Sequence, residues 1–222
     1  MKFLTGRLFA LAAIFALPFT AIAESNLASA PTSGTKLSTT ARLDFQVTIP
    51  AMLYLQVGAD PATATTAHSR IGQIAFDVAS GSVGNGMPVD ATFASGDRNN
   101  GTVTARITSN VGPVDLRSET MGPLQSNDPT STDTIPWSQI VTVSNTLTGA
   151  GTASKLAHPM LIDNGATTLH LLPSGTGKIV QQAAEWTYKY LNSVVVPAGI
   201  YGDATTGNGS RNGRVIYTAA MP

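Results

Sequence analysis

Apolar residues recur at every second position in several short stretches of this chain, and this pattern constrains its fold most. In residues 41–49 the apolar side chains Leu43, Phe45, Val47 and Ile49 alternate with polar ones. Side chains of a β-strand point alternately to opposite faces, so the pattern predicts a strand with one buried face. No stretch of helix length repeats its apolar residues every 3.6 positions, as a core-facing helix would. The chain is therefore expected to fold from strands.

Turn-forming residues separate the predicted strands. Asn-Gly pairs begin at residues 85, 100, 164, 208 and 212, and such pairs tolerate the positive φ angles of tight turns. The pair at 100–101 predicts a hairpin between strands at 88–94 and 102–109, and the polar residues 118–134 predict a surface loop. The remaining strands are predicted at 52–57, 71–78, 137–147, 184–190 and 214–221, with weaker candidates at 160–162, 168–172 and 178–182. Short strands with regular turns predict an all-β fold: a single-domain antiparallel β-sandwich, either immunoglobulin-like or jelly-roll-like.

The composition favours a β protein outside the cytosol. Charged residues make up only 12% of the chain, which also contains 21 Gly and 13 Pro; an average domain has roughly 25% charged residues. Exposed helix faces are rich in Glu, Lys and Arg, so this composition argues against a helix-rich cytosolic enzyme. The 13 Lys+Arg balance the 13 Asp+Glu, which gives no basic surface for nucleic acid. There is no Cys, so the core must hold without disulfides.

The first 23 residues have the pattern of a secretory signal peptide. Lys2 and Arg7 precede the apolar residues 8–19, and Ala21-Ile22-Ala23 forms a small-residue cleavage site. The exported protein is expected to pass through the periplasm to the cell surface or the medium, with no membrane span after cleavage. The predicted regions are a signal peptide at 1–23, a flexible polar leader at 24–40 and a β-sandwich domain at 41–222.

Residues that could carry catalysis or bind a metal are scattered. His68, His158 and His170 lie far apart in the sequence, and none belongs to an H-E-x-x-H motif. An extracytoplasmic hydrolase would need His158 or His170 within hydrogen-bond reach of a Ser and an Asp, and this alternative stays open here. We predict no catalytic residue, no cofactor-binding residue and no metal ligand, and hence no enzyme.

Three glycine-rich stretches resemble ligand-binding loops without meeting their requirements. Residues 174–178 lack the first Gly and the Ser/Thr of a phosphate-binding loop. Residues 207–213 have the wrong glycine spacing for a dinucleotide fingerprint. Residues 97–101 offer Asp97 and Asn99 as oxygen ligands but lack the terminal Glu of an EF-hand loop, so a tight turn is favoured there over weak Ca²⁺ binding.

Trp186, Tyr188 and Tyr190 form the densest aromatic stripe, because they share one face of a predicted strand. An exposed stripe would be a contact face, and the chain would then be a self-contained secreted binding module for a glycan or a protein. A buried stripe would fill the core of the sandwich. The core position is favoured, because few other aromatic residues are available to fill it.

Both ends of the exported chain point to assembly through strands. A polar leader, with Leu27 and Leu37 as its large apolar residues, precedes the strand at 41–49, and a predicted strand closes the chain. Edge strands in such positions can pair with a neighbouring molecule through main-chain hydrogen bonds. The candidate assembly strand comprises Arg214, Val215, Ile216, Tyr217, Thr218 and Ala219.

With these features the chain resembles bacterial fimbrial subunits of the chaperone–usher kind. The resemblance rests on the secretory signal, the Thr- and Gly-rich body, the strand at 41–49, Pro-Ala-Gly-Ile-Tyr at 197–201, Gly-Arg-Val-Ile-Tyr-Thr-Ala at 213–219 and Gly209, fourteenth from the end. It implies an incomplete immunoglobulin-like sandwich that a neighbour's strand completes, in a structural or adhesive subunit of a surface fibre. The implied partners are copies of the chain or related subunits, a periplasmic chaperone and an outer-membrane usher.

Overall fold

The computed structural model describes residues 24–59, 72–174, 176–202 and 210–222. The chain divides into two units, Met1–Ile49 and Pro50–Pro222. The boundary therefore falls after residue 49, whereas the sequence placed the start of the folded domain at residue 41. The predicted signal peptide, His68 and Gly209 lie outside the described residues.

In the first unit, the described residues 24–49 form no β-strand. Their side-chain contacts join residues within the unit: the Glu24 carboxylate accepts a hydrogen bond from the Arg42 amide over 3.2 Å and lies 3.4 Å from the Arg42 guanidinium Nε. The prediction of a paired strand at 41–49 is therefore wrong for the described chain. Residues 41–49 do alternate apolar and polar side chains, but in the described chain they do not pair into a sheet.

The second unit consists of two main sheets and one short ribbon. Its strands are β1 (Leu53–Val57), β2 (Val89–Asp90), β3 (Thr102–Ser109), β4 (Val114–Thr120), β5 (Leu124–Gln125), β6 (Thr134–Ile135), β7 (Ile140–Thr146), β8 (Ser154–Lys155), β9 (Gly165–Leu171), β10 (Val180–Tyr190) and β11 (Val215–Ala220). β10 is central in the larger sheet, with β3 and β2 on one side and β7 and β8 on the other, and β1 lies outside β3. The second sheet has the order β11–β4–β9, and β5 pairs with β6. All pairings are antiparallel except the short one between β8 and β10.

One hydrophobic core lies between the two main sheets. It combines buried side chains from both of them: Val103, Ala105 and Ile107 of β3, Val114 and Leu116 of β4, Leu171 of β9, and Val180, Ala184, Trp186 and Tyr188 of β10, together with Leu156. On β3, β4 and β10 these core residues are mostly two positions apart, as a strand with one buried face requires. The predicted all-β antiparallel sandwich is thus confirmed.

Several strand predictions are confirmed with small shifts at their ends, namely those at 52–57, 102–109, 137–147, 184–190 and 214–221. The weaker candidates at 168–172 and 178–182 belong to β9 and β10, whereas 160–162 forms no strand. The stretch 71–78 forms no strand in its described part either. Its Ala75 amide and carbonyl bond instead to the Ser95 hydroxyl and the Thr92 amide, over 2.9 and 2.8 Å.

The predicted hairpin around residues 100–101 is wrong, because β2 pairs with β10 rather than with β3. The turn itself is present: Asn99, Asn100 and Gly101 all have positive φ angles, of 66°, 48° and 73°. It closes a longer loop, in which the Asp97 carboxylate accepts hydrogen bonds from the Thr104 amide and hydroxyl over 2.8 and 2.6 Å.

The prediction of a surface loop at 118–134 is also wrong, since these residues contain the end of β4 and all of β5. Ser118 and Thr120 face inward and are buried. Their hydroxyls donate to the carbonyls of Met160 and Ile162, so burial does not leave them unsatisfied. Because part of β4 is polar, the sequence pattern does not predict this strand, although it lies at the centre of its sheet.

Candidate assembly site

The most exposed apolar surface of the described chain lies in residues 42–49, which we call the apolar segment. Leu43 is 67% exposed, Phe45 86%, Val47 84% and Ile49 76%. Soluble proteins seldom leave a run of large apolar side chains in water unless a partner covers it. The four side chains occupy alternate positions, so in an extended strand they would form one apolar face.

The residues that precede β1 are hydrogen-bonded to Asn110, which follows β3. The Asn110 side chain accepts a hydrogen bond from the Met52 amide and donates one to the Pro50 carbonyl, both over 2.8 Å, and the Asn110 amide donates to the Met52 carbonyl. These bonds extend the β1–β3 pairing beyond the end of β1. Residues 50–52 therefore do not form the tight turn that a hairpin with β1 would need.

The candidate assembly strand is found as β11, which begins one residue later than predicted, after Arg214. It pairs with β4 along one edge, and no strand of the described chain pairs with its other edge. Tyr217 and Ala219 pack against the core, whereas Ile216 points away from it and is 49% exposed. β11 thus offers an open edge at the rim of its sheet.

β1 is the matching rim of the larger sheet. It pairs with β3 alone in the described chain, and it approaches β11 without pairing with it. Leu55 and Val57 of β1, like Tyr217 and Ala219 of β11, pack against the core but stay only partly buried. Partly buried apolar side chains therefore lie along both of these rims.

The aromatic stripe is inside the sandwich. Trp186 is 0% exposed, Tyr188 7% and Tyr190 5%. These three residues do not form a contact face for a glycan or a protein, so the predicted core position is confirmed and the contact-face hypothesis loses its main support.

His158 lies beside this stripe and takes part in a closed polar cluster. Its Nε2 is 2.6 Å from the Tyr217 hydroxyl and 3.1 Å from the Tyr188 hydroxyl, and the two hydroxyls are 2.9 Å apart. Burial lowers the pKa of His158 to about 4, although a hydrogen bond to the Pro159 backbone acts in the opposite direction. Burial also raises the pKa values of Tyr188 and Tyr217 above the ordinary 10. All three side chains are therefore uncharged at neutral pH.

The described residues around the two histidines do not have the geometry that the hydrolase alternative requires. His158 contacts phenols, and His170 is exposed on β9 with its Nδ1 2.6 Å from an oxygen of Asp115 on β4. In the described part of the chain, no hydrogen bond joins either histidine to a serine. No group of three potential metal ligands comes together among the described residues either.

The glycine-rich stretches add no site. The Asp97 carboxylate is occupied by Thr104, which favours the turn over a cation site. Gly175 and residues 207–209 lie outside the described chain. A search of the described residues finds no helix long and apolar enough to cross a membrane.

Comparisons with protein-family models, with curated proteins and with solved structures yield no match for this chain.

The sequence predicts β11 as a strand, and the structure contains it. The sequence pattern places the apolar segment in the sandwich and offers only Leu27 and Leu37 as large apolar residues of the leader. Those two leucines are 87% and 54% exposed, but the alternate positions between them hold no large apolar residue, so the leader has no continuous apolar face. The signal for the apolar segment was its own alternation, the clearest in the chain.

Proposed function

We propose that this chain is an exported structural or adhesive subunit of a bacterial surface fibre, and that it assembles by β-strand addition. The apolar segment of one copy is the donor strand. The acceptor is the open edge of β11 in a second copy or in a related subunit.

The observation that carries this proposal is the free alternating face of Leu43, Phe45, Val47 and Ile49. An extended strand rises about 3.3 Å per residue, so residues 42–49 reach roughly 26 Å. β11 has six residues and is roughly 20 Å long by the same measure. The donor is thus long enough to accompany the whole acceptor edge.

The acceptor provides an open main-chain edge and partly exposed apolar side chains. The open edge of β11 can supply main-chain hydrogen bonds, which are insensitive to side-chain identity. The partly exposed Leu55, Val57, Tyr217 and Ala219 would meet the apolar face of the donor. Pairing and burial together give such a contact both affinity and register.

The same two features explain why assembly would need helpers. An exposed apolar strand and an open sheet edge both promote uncontrolled association. A periplasmic chaperone that covers them during export, and an outer-membrane usher that releases subunits in order, are the partners that this proposal calls for.

The proposal is tested by imaging and sedimenting the exported chain, residues 24–222. We expect filaments or concentration-dependent oligomers. A variant with Leu43, Phe45, Val47 and Ile49 all changed to Ser should stay monomeric, because its donor face has lost its apolar area. The matched control changes the other face of the same segment, Arg42, Asp44, Gln46 and Thr48, to Ser and should still assemble.

A peptide of residues 42–49 added in excess should block assembly by occupying the acceptor, while a peptide carrying the four apolar-to-Ser changes should not. A parent chain that stays monomeric at high concentration, or a control variant that loses assembly as fully as the apolar-face variant, would contradict the proposal.

A further inference from the structure

The polar cluster of His158, Tyr188 and Tyr217 connects three separate parts of the second unit. Tyr188 belongs to β10, Tyr217 to the last strand, β11, and His158 to the connection that follows β8. The His158 ring also packs edge-on against Trp186, with ring centres 4.6 Å apart. One buried side chain of the larger sheet and one side chain of the smaller sheet are therefore joined through a single imidazole.

The connection that carries His158 is fixed on both sides of it. The Leu156 carbonyl accepts hydrogen bonds from the Trp186 indole over 3.1 Å and from the Ser144 hydroxyl over 2.7 Å. The Met160 carbonyl accepts one from the Ser118 hydroxyl over 3.1 Å. His158 cannot easily follow β11 if that strand moves, so the link through Tyr217 holds β11 to a fixed point.

The donors and acceptors of the cluster balance only when the imidazole is neutral. The His158 Nε2 lies within hydrogen-bond distance of both phenol oxygens, and each phenol has one O–H to donate. We assign the ring proton to Nδ1, so that Nε2 accepts from the nearer hydroxyl, that of Tyr217. The Tyr188 hydroxyl then donates to the Tyr217 oxygen, and every O–H has an acceptor.

A second proton on the ring removes this balance. Nε2–H would become a donor and take up an oxygen lone pair, so that one of the two phenol O–H groups loses its acceptor within the cluster. The titratable groups that face the ring are the Tyr188 phenol from β10 and the Tyr217 phenol from β11. Both phenols are uncharged at neutral and acidic pH, so neither of them offsets the added charge.

We propose that the His158–Tyr188–Tyr217 cluster is an acid-sensitive latch, which holds β11 in the sandwich at neutral pH and loosens it in acid. The latch is a property of the folded unit and does not depend on strand addition. Its consequence for assembly, a β11 edge that acid makes less able to receive a donor, rests on the proposed function.

The test is amide hydrogen exchange of β11 in the exported chain, expressed as protection relative to the unstructured rate at each pH. If opening returns His158 to its ordinary proton affinity, protection of β11 should be about 100-fold lower at pH 4 than at pH 7. His158→Gln, which cannot take up a proton, should show almost none of this loss. His170→Gln, the matched control at the exposed histidine, should behave like the parent.

Two further measurements keep the test decisive if His158→Gln folds poorly. The Tyr217→Phe variant should lower the protection of β11 about tenfold already at pH 7, because the link to His158 is gone. In the parent, the His158 ring should titrate by NMR at least one pH unit below the ordinary histidine value of 6.5. Protection of β11 that does not change with pH, an equal loss in His158→Gln, or a His158 midpoint at the ordinary value would overturn the latch. All of these measurements are made below the concentration at which the chain assembles, so they report on the folded unit and can fail independently of the proposed function.

Discussion

Phe45 offers a single-residue test of the donor strand, because it is the most exposed of the four apolar side chains in residues 42–49. It is 86% exposed in the free chain, so nearly all of its apolar area is still available for burial. Full burial of a Phe side chain contributes roughly 1.5–3 kcal/mol. Phe45→Ser should therefore weaken the contact between copies by about 2 kcal/mol, which corresponds to about a 30-fold lower association constant.

The assay is the concentration at which the exported chain begins to assemble, followed by light scattering and checked by sedimentation. This concentration should rise about 30-fold in Phe45→Ser. The matched control is Gln46→Ser, on the opposite face of the same segment, for which we expect less than a threefold change. Both variants should keep the parent's free energy of unfolding within about 0.5 kcal/mol, since each changes an exposed position.

Assembly of Phe45→Ser at the parent's concentration would contradict a donor strand at residues 42–49. An equal effect of Gln46→Ser would contradict it as well, because the segment would then act through its charge or flexibility and not through one apolar face.

Two further predictions concern the folded unit. Because the pKa of His158 is lowered to about 4 from 6.5, the unfolded chain binds the proton first, so the free energy of unfolding should fall by about 3 kcal/mol as the pH drops from 6.5 to 4. Urea titrations at several pH values measure this, and a flat profile would exclude a buried neutral His158. Asn192 is 1% exposed and bonds to the Ser82 carbonyl over 2.6 Å and the Gly84 amide over 2.8 Å, so Asn192→Ala should cost about 2–4 kcal/mol. The exposed Asn145→Ala is its control, and equal unfolding energies for the two variants would show that this buried amide adds no stability.

The class of fold could be predicted from the sequence because β3, β10 and β11 each have alternating apolar residues, and those residues face the interior of one sandwich. Trp186 could be placed in the core for the same reason. Pairing could not be predicted in this way. β2 has only two residues and pairs with β10, and no local pattern distinguishes that partner from the neighbouring β3.

The alternation of apolar and polar residues also does not show which strand, if any, a stretch will pair with. Residues 42–49 and β3 have the same period, yet β3 is buried in the sandwich and residues 42–49 form no strand in the described chain. The difference arises from tertiary structure, since β3 pairs with β1 on one edge and with β10 on the other.

β4 could not be predicted from the sequence because some of its inward-facing side chains are hydroxyls. The polar cluster could not be predicted because its residues are far apart in the chain. Ser118 is buried because the Met160 carbonyl, far away in the chain, accepts its hydrogen bond. His158 and Tyr217 are 59 positions apart, and neither belongs to a recognisable motif. Such contacts are decided by how strands pack, and they become visible only once the sandwich is formed.

Cross-linking between copies can show directly whether residues 42–49 of one copy lie beside β11 of another, because the chain contains no Cys of its own. One variant carries Thr218→Cys, on the outward face of β11, and is mixed with a second variant that carries a cysteine in residues 42–49. If the donor lies beside β11 with its apolar face inward, Gln46→Cys should form the mixed disulfide in high yield and Phe45→Cys should not. Thr168→Cys on β9, at the other rim of the same sheet, should give little product with either. Equal yields from Gln46→Cys and Phe45→Cys, or a preference for Thr168→Cys over Thr218→Cys, would contradict strand addition at β11.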